Sequence, residues 1–436
     1  MATVHVGLNP SRTPRGHSTT NTWIGEWAQA SIRGMKNKIA LPGKLASRST
    51  ARFAMSLLLA SVPSILPSTG LAQEPIKIPM TADRWEAKDN VKFEADPSYP
   101  LGVMTVTKGV AVLKDFTFRN GTIEFDVIPR GPMGAGIGFR RRDDDTYEDF
   151  YLRPRPKCDE AVDCIQYAPE THGVLLWDVF PQYQVPAPVQ ETTPNHIKMV
   201  ISGRRMNIFV NPPANGGMTA PTLSIGRLEG DTLEGGILMQ GPGTFANLTV
   251  TPDAVEGLSP EPLKDASDND RQLVRSWQVS QPSELAEGKE PAYAEMPASG
   301  WTALPAERAG LVDLSRGYGL VGKRKAKDIA WLKTTISSDK AQTKHVAFGW
   351  TREAWVFVNG KQVYADKNLF QPPTARKAPD GRLSLENGGF DLPLQKGRNE
   401  IAIALANNFY GWGVKLRLDD LKGVKIQEAK GVPAGQ

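Results

Sequence analysis

The chain has 436 residues, 40% of them apolar and 23% charged, a length that allows two or three domains and a composition that excludes collagen, coiled coil and wholesale disorder. Lys and Arg number 52 against 47 Asp and Glu, a formal charge of +5 that invites a nucleic-acid partner until it is located. Residues 1–72 hold eight of the basic residues and a single acid, Glu26, so the rest of the chain carries 44 basic against 46 acidic residues and offers no electrostatic case for nucleic acid.

The first element in chain order is a leader. Lys36 to Arg52 reads as a positive n-region, Phe53 to Leu66 (FAMSLLLASVPSIL) as an uncharged apolar stretch, and Gly70-Leu71-Ala72 as a small-residue cleavage pattern. This is the order of a secretory signal cut after Ala72, and it predicts an exported protein, periplasmic or extracellular. A spanning helix needs about 20 apolar residues. The stretch here is shorter and carries Pro63 and Pro67, so no membrane span is expected. Met35 heads a signal of ordinary length, which leaves open whether residues 1–34 are translated.

From Gln73 onward, short β-branched and aromatic runs alternate with Gly, Pro, Asn and Asp, the pattern of strands and turns. The clearest runs are Gly121 to Ile128, Ala135 to Arg140, Phe150 to Arg153, Val174 to Phe180, His196 to Ile201, Met206 to Asn211 and Thr244 to Thr251. Many have period two, so one face is buried and the other wet. Gly203-Arg204-Arg205 reads as a hairpin. A polar, acidic, proline-containing stretch follows (EGLSPEPLKDASDND) and reads as a linker over 255–270. A second β-rich block begins at Arg271. Its clearest strands are Ile329 to Ile336, His345 to Trp350, Ala354 to Val358, Gln362 to Tyr364, Glu400 to Ala406 and Val414 to Leu418, and Asn359-Gly360 signals a type I′ hairpin. The expected fold class is all-β: two antiparallel β-sandwiches, over 73–254 and 271–436, each large enough for its own core. The 41 Gly and 34 Pro suit that many turns.

Cys158 and Cys164, the two cysteines of the chain, are most simply one disulfide in an oxidising compartment. Free thiols and a metal site are the alternatives, and no further ligands at zinc-like spacing support the metal.

The residues GTIEFDV, GIGFR, YEDFYLRP (Tyr147 to Pro154), IQYAP (Ile165 to Pro169), Trp177, IKMVISGRRMNIFVN and FANLTV give the first block a resemblance to the concanavalin A-like lectin/glucanase superfamily. More narrowly, it resembles laminin-G-like and 3-keto-disaccharide-hydrolase-like modules. Arg155 departs from that pattern, in which a His is expected after the Arg-Pro pair. The second block resembles galactose-binding-like jelly rolls, through EAWVFVNGKQVY (Glu353 to Tyr364), LPLQKGRNEIAIAL (Leu392 to Leu405) and WGVKLRL (Trp412 to Leu418). These residues fix a fold and say little about ligand.

Sugar hydrolysis usually needs two positioned carboxylates. Laminarinase-type members of the superfamily carry them as E-x-D-x-x-E. Here Glu124 and Asp126 are followed by Pro129 where the third acid would stand, so the set is incomplete. Both also read as the outward residues of an amphipathic strand with Ile123, Phe125 and Val127 inward. The acids Asp143, Asp144, Asp145, Glu148 and Asp149 match no EF-hand spacing. A solvated turn is the simpler reading, structural calcium the alternative, and no other metal or cofactor is expected.

The candidate ligand-binding residues are Glu148, Tyr151, Arg153, Gln166, Tyr167 and Trp177, with Tyr147 beside them. If Phe150 and Leu152 point inward, Tyr151 and Arg153 share the other face of their strand. Aromatic faces stack on sugar rings, and Arg, Gln and Glu bond hydroxyls. The resemblance implies that these segments lie on the concave sheet; the bland alternative is that the rings are core or rim residues. Of the histidines after the leader, His172 lies in a turn near IQYAP, while His196 and His345 belong to strands. Asn407 to Trp412 forms a polar-aromatic loop that can bind sugar or serve as an anchored turn. No nucleophile elbow, P-loop, dinucleotide fingerprint or His-Glu-x-x-His occurs. The sequence therefore points to an exported protein that binds carbohydrate on the first sandwich without catalysis of its own. A glycoside hydrolase of the 3-keto-disaccharide type, and an adhesion or scaffold protein, are the alternatives.

Overall fold

A computed structural model describes residues 74–132, 134–213, 220–319 and 327–427. The expected leader and cleavage site lie outside these residues.

In the strand Gly121–Pro129, Ile123, Phe125 and Val127 are fully buried while Glu124 and Asp126 face outward. The period-two pattern thus buries one face, at roughly 1.5–3 kcal/mol for each large apolar side chain. The same logic repeats throughout an all-β molecule of antiparallel sheets. Strands between Ile76 and Pro252 form two of them. The back sheet runs Leu223–Ile225, Arg205–Val210, Asn195–Ser202, Gly121–Pro129, Gly243–Pro252, Tyr99–Val106, Val91–Asp96. The front sheet runs Val174–Leu175, Ile165–Thr171, Thr146–Leu152, Ala135–Asp143, Gly236–Gln240, Val110–Leu113, Trp85–Lys88. Phe125, Met199 and Ile201 from the back meet Ile137, Phe139, Phe150 and Leu152 from the front in one core.

Strands between Ser276 and Ile426 form the other two sheets. The larger runs Thr302–Pro305, Ser276–Val279, Lys327–Ser338, Gly397–Asn407, Arg352–Val358, Lys361–Asn368, and the smaller Val312–Asp313, Gly413–Leu418, Gln342–Trp350, Gly388–Leu394. Phe348, Trp350, Val356, Ile403 and Trp412 fill the space between them. Both expected hairpins form. Arg205–Val210 folds back on Asn195–Ser202 through Gly203-Arg204. Asn359 and Gly360 have φ of 50° and 83°, as a type I′ turn requires. The stretch read as a linker is tied down: Arg204 N–H donates to Pro260 O (3.0 Å) and Leu263 N–H to Gly226 O (2.9 Å). Cys158 and Cys164 form a disulfide with Cα atoms 5.3 Å apart.

One expected strand is mostly absent. Val174 to Phe180 is extended only at Val174–Leu175. The chain then turns, with the N–H groups of Val179 and Phe180 both reaching Leu176 O. The turn delivers Asp178 to the second sandwich. Its carboxylate, fully buried, takes the Arg352 guanidinium at 2.5 Å and the Gly411 N–H at 3.0 Å, and its carbonyl takes Leu383 N–H at 2.8 Å. Leu311 and Leu383 join the core of the first sandwich. Arg316 pairs with Asp231 (2.9 Å) and donates to Glu229 O (2.8 Å).

Candidate functional site

Phe150 and Leu152 do point into the core, so Tyr147, Asp149 and Tyr151 stand on the outer face of the front sheet. The neighbouring strand has the same alternation, with Ile165 and Tyr167 inward and Gln166, Ala168 and Glu170 outward. The register pairs Tyr151 with Gln166, Asp149 with Ala168 and Tyr147 with Glu170. On the other side, Gly136 and Gly138 oppose Tyr151 and Asp149. A Cβ on Gly138 would lie 2.7 Å from the Tyr147 ring and 2.8 Å from Leu238, so the missing side chain is what lets those two residues close over the strand.

Four of the six sequence-derived candidates are joined in one chain of contacts. Arg153 donates to Tyr151 Oη (3.0 Å), Tyr151 donates to Gln166 Oε1 (3.0 Å), and Gln166 Nε2 donates to Trp177 O (2.8 Å). The Arg153 guanidinium sits 5.0 Å from the Tyr151 ring centre and 5.4 Å from that of Trp177. Asp163, on the disulfide loop, anchors Arg153 at 3.6 Å and Arg155 at 3.0 Å. Arg155, in the place expected for a His, thus has a structural partner.

The polar-aromatic loop of the second sandwich arrives at the same place. Trp177 packs edge-on against Phe370, Phe409 and Tyr410 at centroid distances of 4.9, 6.5 and 5.7 Å. Trp412 is buried in its own core, so the loop is an anchored turn as well as a wall of this face. Tyr410 has φ of 53°, a conformation that costs a bulky residue of order 1–3 kcal/mol and clusters at functional sites. The Asn407 side chain holds it by donating to Tyr410 O at 3.1 Å.

Two carboxyls share the face. Asp149 is buried, and both its oxygens accept from Gln240 Nε2 (2.9 and 2.8 Å); burial holds its pKa well above the ordinary value. Glu170 is half-buried and has no hydrogen-bond or ion-pair partner among the described residues. Burial, with a smaller push from Asp145, raises it to about 7. Burial also raises the Tyr147 and Tyr151 hydroxyls, which stay neutral donors.

Glu148 and Tyr167, the other two candidates, lie on the opposite side of the sheet. They share the strand parity of Phe150 and Ile165, so they face the core. There Tyr167 donates to Glu148 Oε2 (2.6 Å) and accepts from Glu229 N–H (2.6 Å). Burial raises Glu148 to about 7. The residues that sequence reasoning leaves out of the site are Glu170 and Asp149, which share the outward parity of Gln166 and Tyr151, and Tyr410, whose approach depends on the packing of the two sandwiches.

The acid cluster does not converge. Asp143 pairs with Arg142 (3.1 Å), Asp144 with Lys88 (2.7 Å) and with Arg141, and Glu148 and Asp149 face opposite ways. Among the described residues, no group of three or more His, Cys, Asp or Glu is arranged to hold a metal ion. His172 is exposed, with Nδ1 2.8 Å from Arg316 O. His345 lies 3.1 Å from Asp391. His196 is clamped on the back sheet between Asp126 (2.8 Å) and Glu124 (3.5 Å), which raises its pKa to about 9.

No protein-family model and no curated protein sequence matches the chain. Among solved structures, it is similar to carbohydrate binding module CBM66 from Bacillus subtilis (14% identity, 38% of this chain and 91% of that one, TM-score 0.26). It is also similar to Caenorhabditis elegans galectin LEC-6 (12%, 38% and 97%, TM-score 0.24), and to a family 35 carbohydrate binding module from an environmental isolate (16%, 35% and 98%, TM-score 0.20).

Proposed function

We propose that the chain is an exported carbohydrate-binding protein. Its ligand lies on the outer face of the front sheet, over the strands Thr146–Leu152 and Ile165–Thr171 and against Tyr410. The observation that carries this reading is the Arg153–Tyr151–Gln166–Trp177 network with the unpartnered Glu170 beside it. A hydroxyl-rich ring needs apolar faces to pack on and fixed donors and acceptors to read its hydroxyls; Tyr151, Gln166 and Trp177 are buried and act by orienting Arg153, while the partly exposed Arg153, Glu170 and Tyr410 and the exposed Phe409 are the groups that meet the ring. Tyr410 completes the face from the second sandwich, so the whole of 73–436 is the binding unit.

A second reading, glycoside hydrolysis, is favoured by Glu170 itself. A carboxyl that keeps its proton near neutrality can protonate a glycosidic oxygen. Asp149 is its diagonal neighbour across the strand pair, with backbone positions about 7–8 Å apart, and hydrolysis usually needs two such carboxyls flanking the bond. Against it, Asp149 is sealed and held on both oxygens by Gln240, which leaves it badly placed to activate a water at an anomeric carbon. Binding without catalysis is therefore the conclusion. A glycan array on residues 73–436, paired with a reducing-sugar release assay, tests it: retention without release supports it, and turnover that vanishes in Glu170→Gln replaces it with the hydrolase reading.

A further inference from the structure

The outer face of the larger sheet in the second sandwich is also apolar. On the central strand Gly397–Asn407, Ala402, Ala404 and Ala406 form a row of small residues, flanked by Trp331 on one neighbouring strand and Trp355 and Phe357 on the other. The result is a trough with a shallow floor and aromatic walls. The segment 286–301 covers much of it by laying Tyr293, Met296 and Trp301 against it. Tyr293 donates to Glu400 (2.5 Å), and the Lys333 ammonium sits 3.9 Å from the Trp301 ring centre. Beside the buried Trp355 lies a cavity of about 410 Å³, bounded by Glu290 of the covering segment, the edge strand at Ala365–Lys367 and the turn 374–377. That volume falls at the lower end of the roughly 300–1,000 Å³ of small-molecule sites.

The walls of the cavity are fixed. Lys377 pairs with Asp366 at 2.7 Å, and its N–H donates to Asn368 Oδ1 at 3.1 Å. Arg376 pairs with Asp380 at 2.7 Å, donates to Phe370 O and lies 4.2 Å over the Phe370 ring. Lys367 differs from these two. It is more than half exposed, and its nearest carboxylate, Glu353 at 3.8 Å, is already held by Lys327 at 2.5 Å. One wall therefore carries three cations, one of them weakly engaged, while Glu290 stands on the rim with the cover. We infer that this cavity is a second saccharide site, selective for a ring that carries one carboxylate, a hexuronic acid unit. The carboxylate meets Lys367 on the cationic wall, where charge-assisted bonds are strong, and Glu290 accepts ring hydroxyls, while Asp366 stays committed to Lys377, the Tyr364 hydroxyl and the Lys367 N–H. The site is independent of the front-sheet face.

The test is calorimetric titration of the full chain with sodium glucuronate and sodium galacturonate, with glucose as the neutral control. At least one uronate binds, Lys367→Glu weakens it by roughly tenfold or more, and glucose binds at least about tenfold more weakly than the uronate. Lys367 is exposed enough that its variant keeps the wild-type melting curve, which is checked alongside. No uronate binding, or uronate binding indifferent to Lys367→Glu, overturns the site. Equal binding of glucose overturns the selection for a carboxylate.

Discussion

Glu170→Gln links the chemistry of the front-sheet face to a quantity that needs no ligand. The Glu170 carboxyl ionises at about 7 in the fold against an ordinary 4.5, and burial is the main cause. At about 1.4 kcal/mol per pH unit, that difference disfavours the ionised form by roughly 3 kcal/mol, which contact with water trims to about 2–3 kcal/mol. Between pH 4.5 and about 7 the folded chain keeps a proton that the unfolded chain has released. Stability from this group is therefore greatest in acid, falls as pH rises through that window, and is level above it. Glutamine has nothing to ionise. The variant should match the wild type near pH 4 and exceed it by about 2–3 kcal/mol near pH 8. Urea unfolding of both proteins at about pH 4, 6 and 8 measures the difference directly, with other titrating groups common to both. A stability difference that does not change with pH would refute the reasoning and remove the basis of the hydrolase reading.

Further outcomes concern the joint and the back sheet. Arg352→Ala strands the buried Asp178 carboxylate and should cost about 3–5 kcal/mol near pH 8, measured by urea unfolding. The loss should shrink in acid, because Asp178 ionises at about 6. Gly411→Ala places a Cβ 2.3 Å from Val179 Cγ2 and 2.5 Å from Asp178 Oδ1; overpacking of this kind costs about 1–3 kcal/mol and should lower the melting temperature, whereas an unchanged melt would mean the joint yields freely. Replacing Cys158 and Cys164 together by Ser opens a short loop and should cost about 2 kcal/mol by chain entropy, read from unfolding under oxidising conditions. His196, clamped by Asp126 and Glu124, should titrate near 9 by NMR. Its clamp is complete below the ordinary imidazole value of 6.5 and is lost as pH rises through about 9; a midpoint near 6.5 would refute the clamp.

The parity of the strands is legible in the amino-acid sequence. Phe150 and Leu152 inward implies Tyr151 outward, and the same counting sends Ile123, Phe125 and Val127 to the core and Glu124 and Asp126 to the surface. Applied strictly, that rule also separates Glu148 from Tyr151 and Tyr167 from Gln166, and it puts Glu170 with Gln166. Grouping the residues by chemistry instead of parity mixes the two faces. The turn at Leu176 is not legible, because Val174 to Phe180 is as apolar as a strand and its bend is set by Asp178 meeting Arg352 and Gly411, partners far away in sequence. For the same reason the meeting of Tyr410 with Trp177 lies beyond local pattern: it is a product of how two separately legible sandwiches pack.

The most direct measurement is glycan-array binding of residues 73–436, wild type beside Tyr410→Ala and Tyr151→Phe, with melting curves to confirm that each variant folds. Retention of at least one saccharide is expected, weakened in both variants because one loses the wall of the face and the other its central hydroxyl relay. No retained saccharide, or retention that both variants leave untouched, would contradict it.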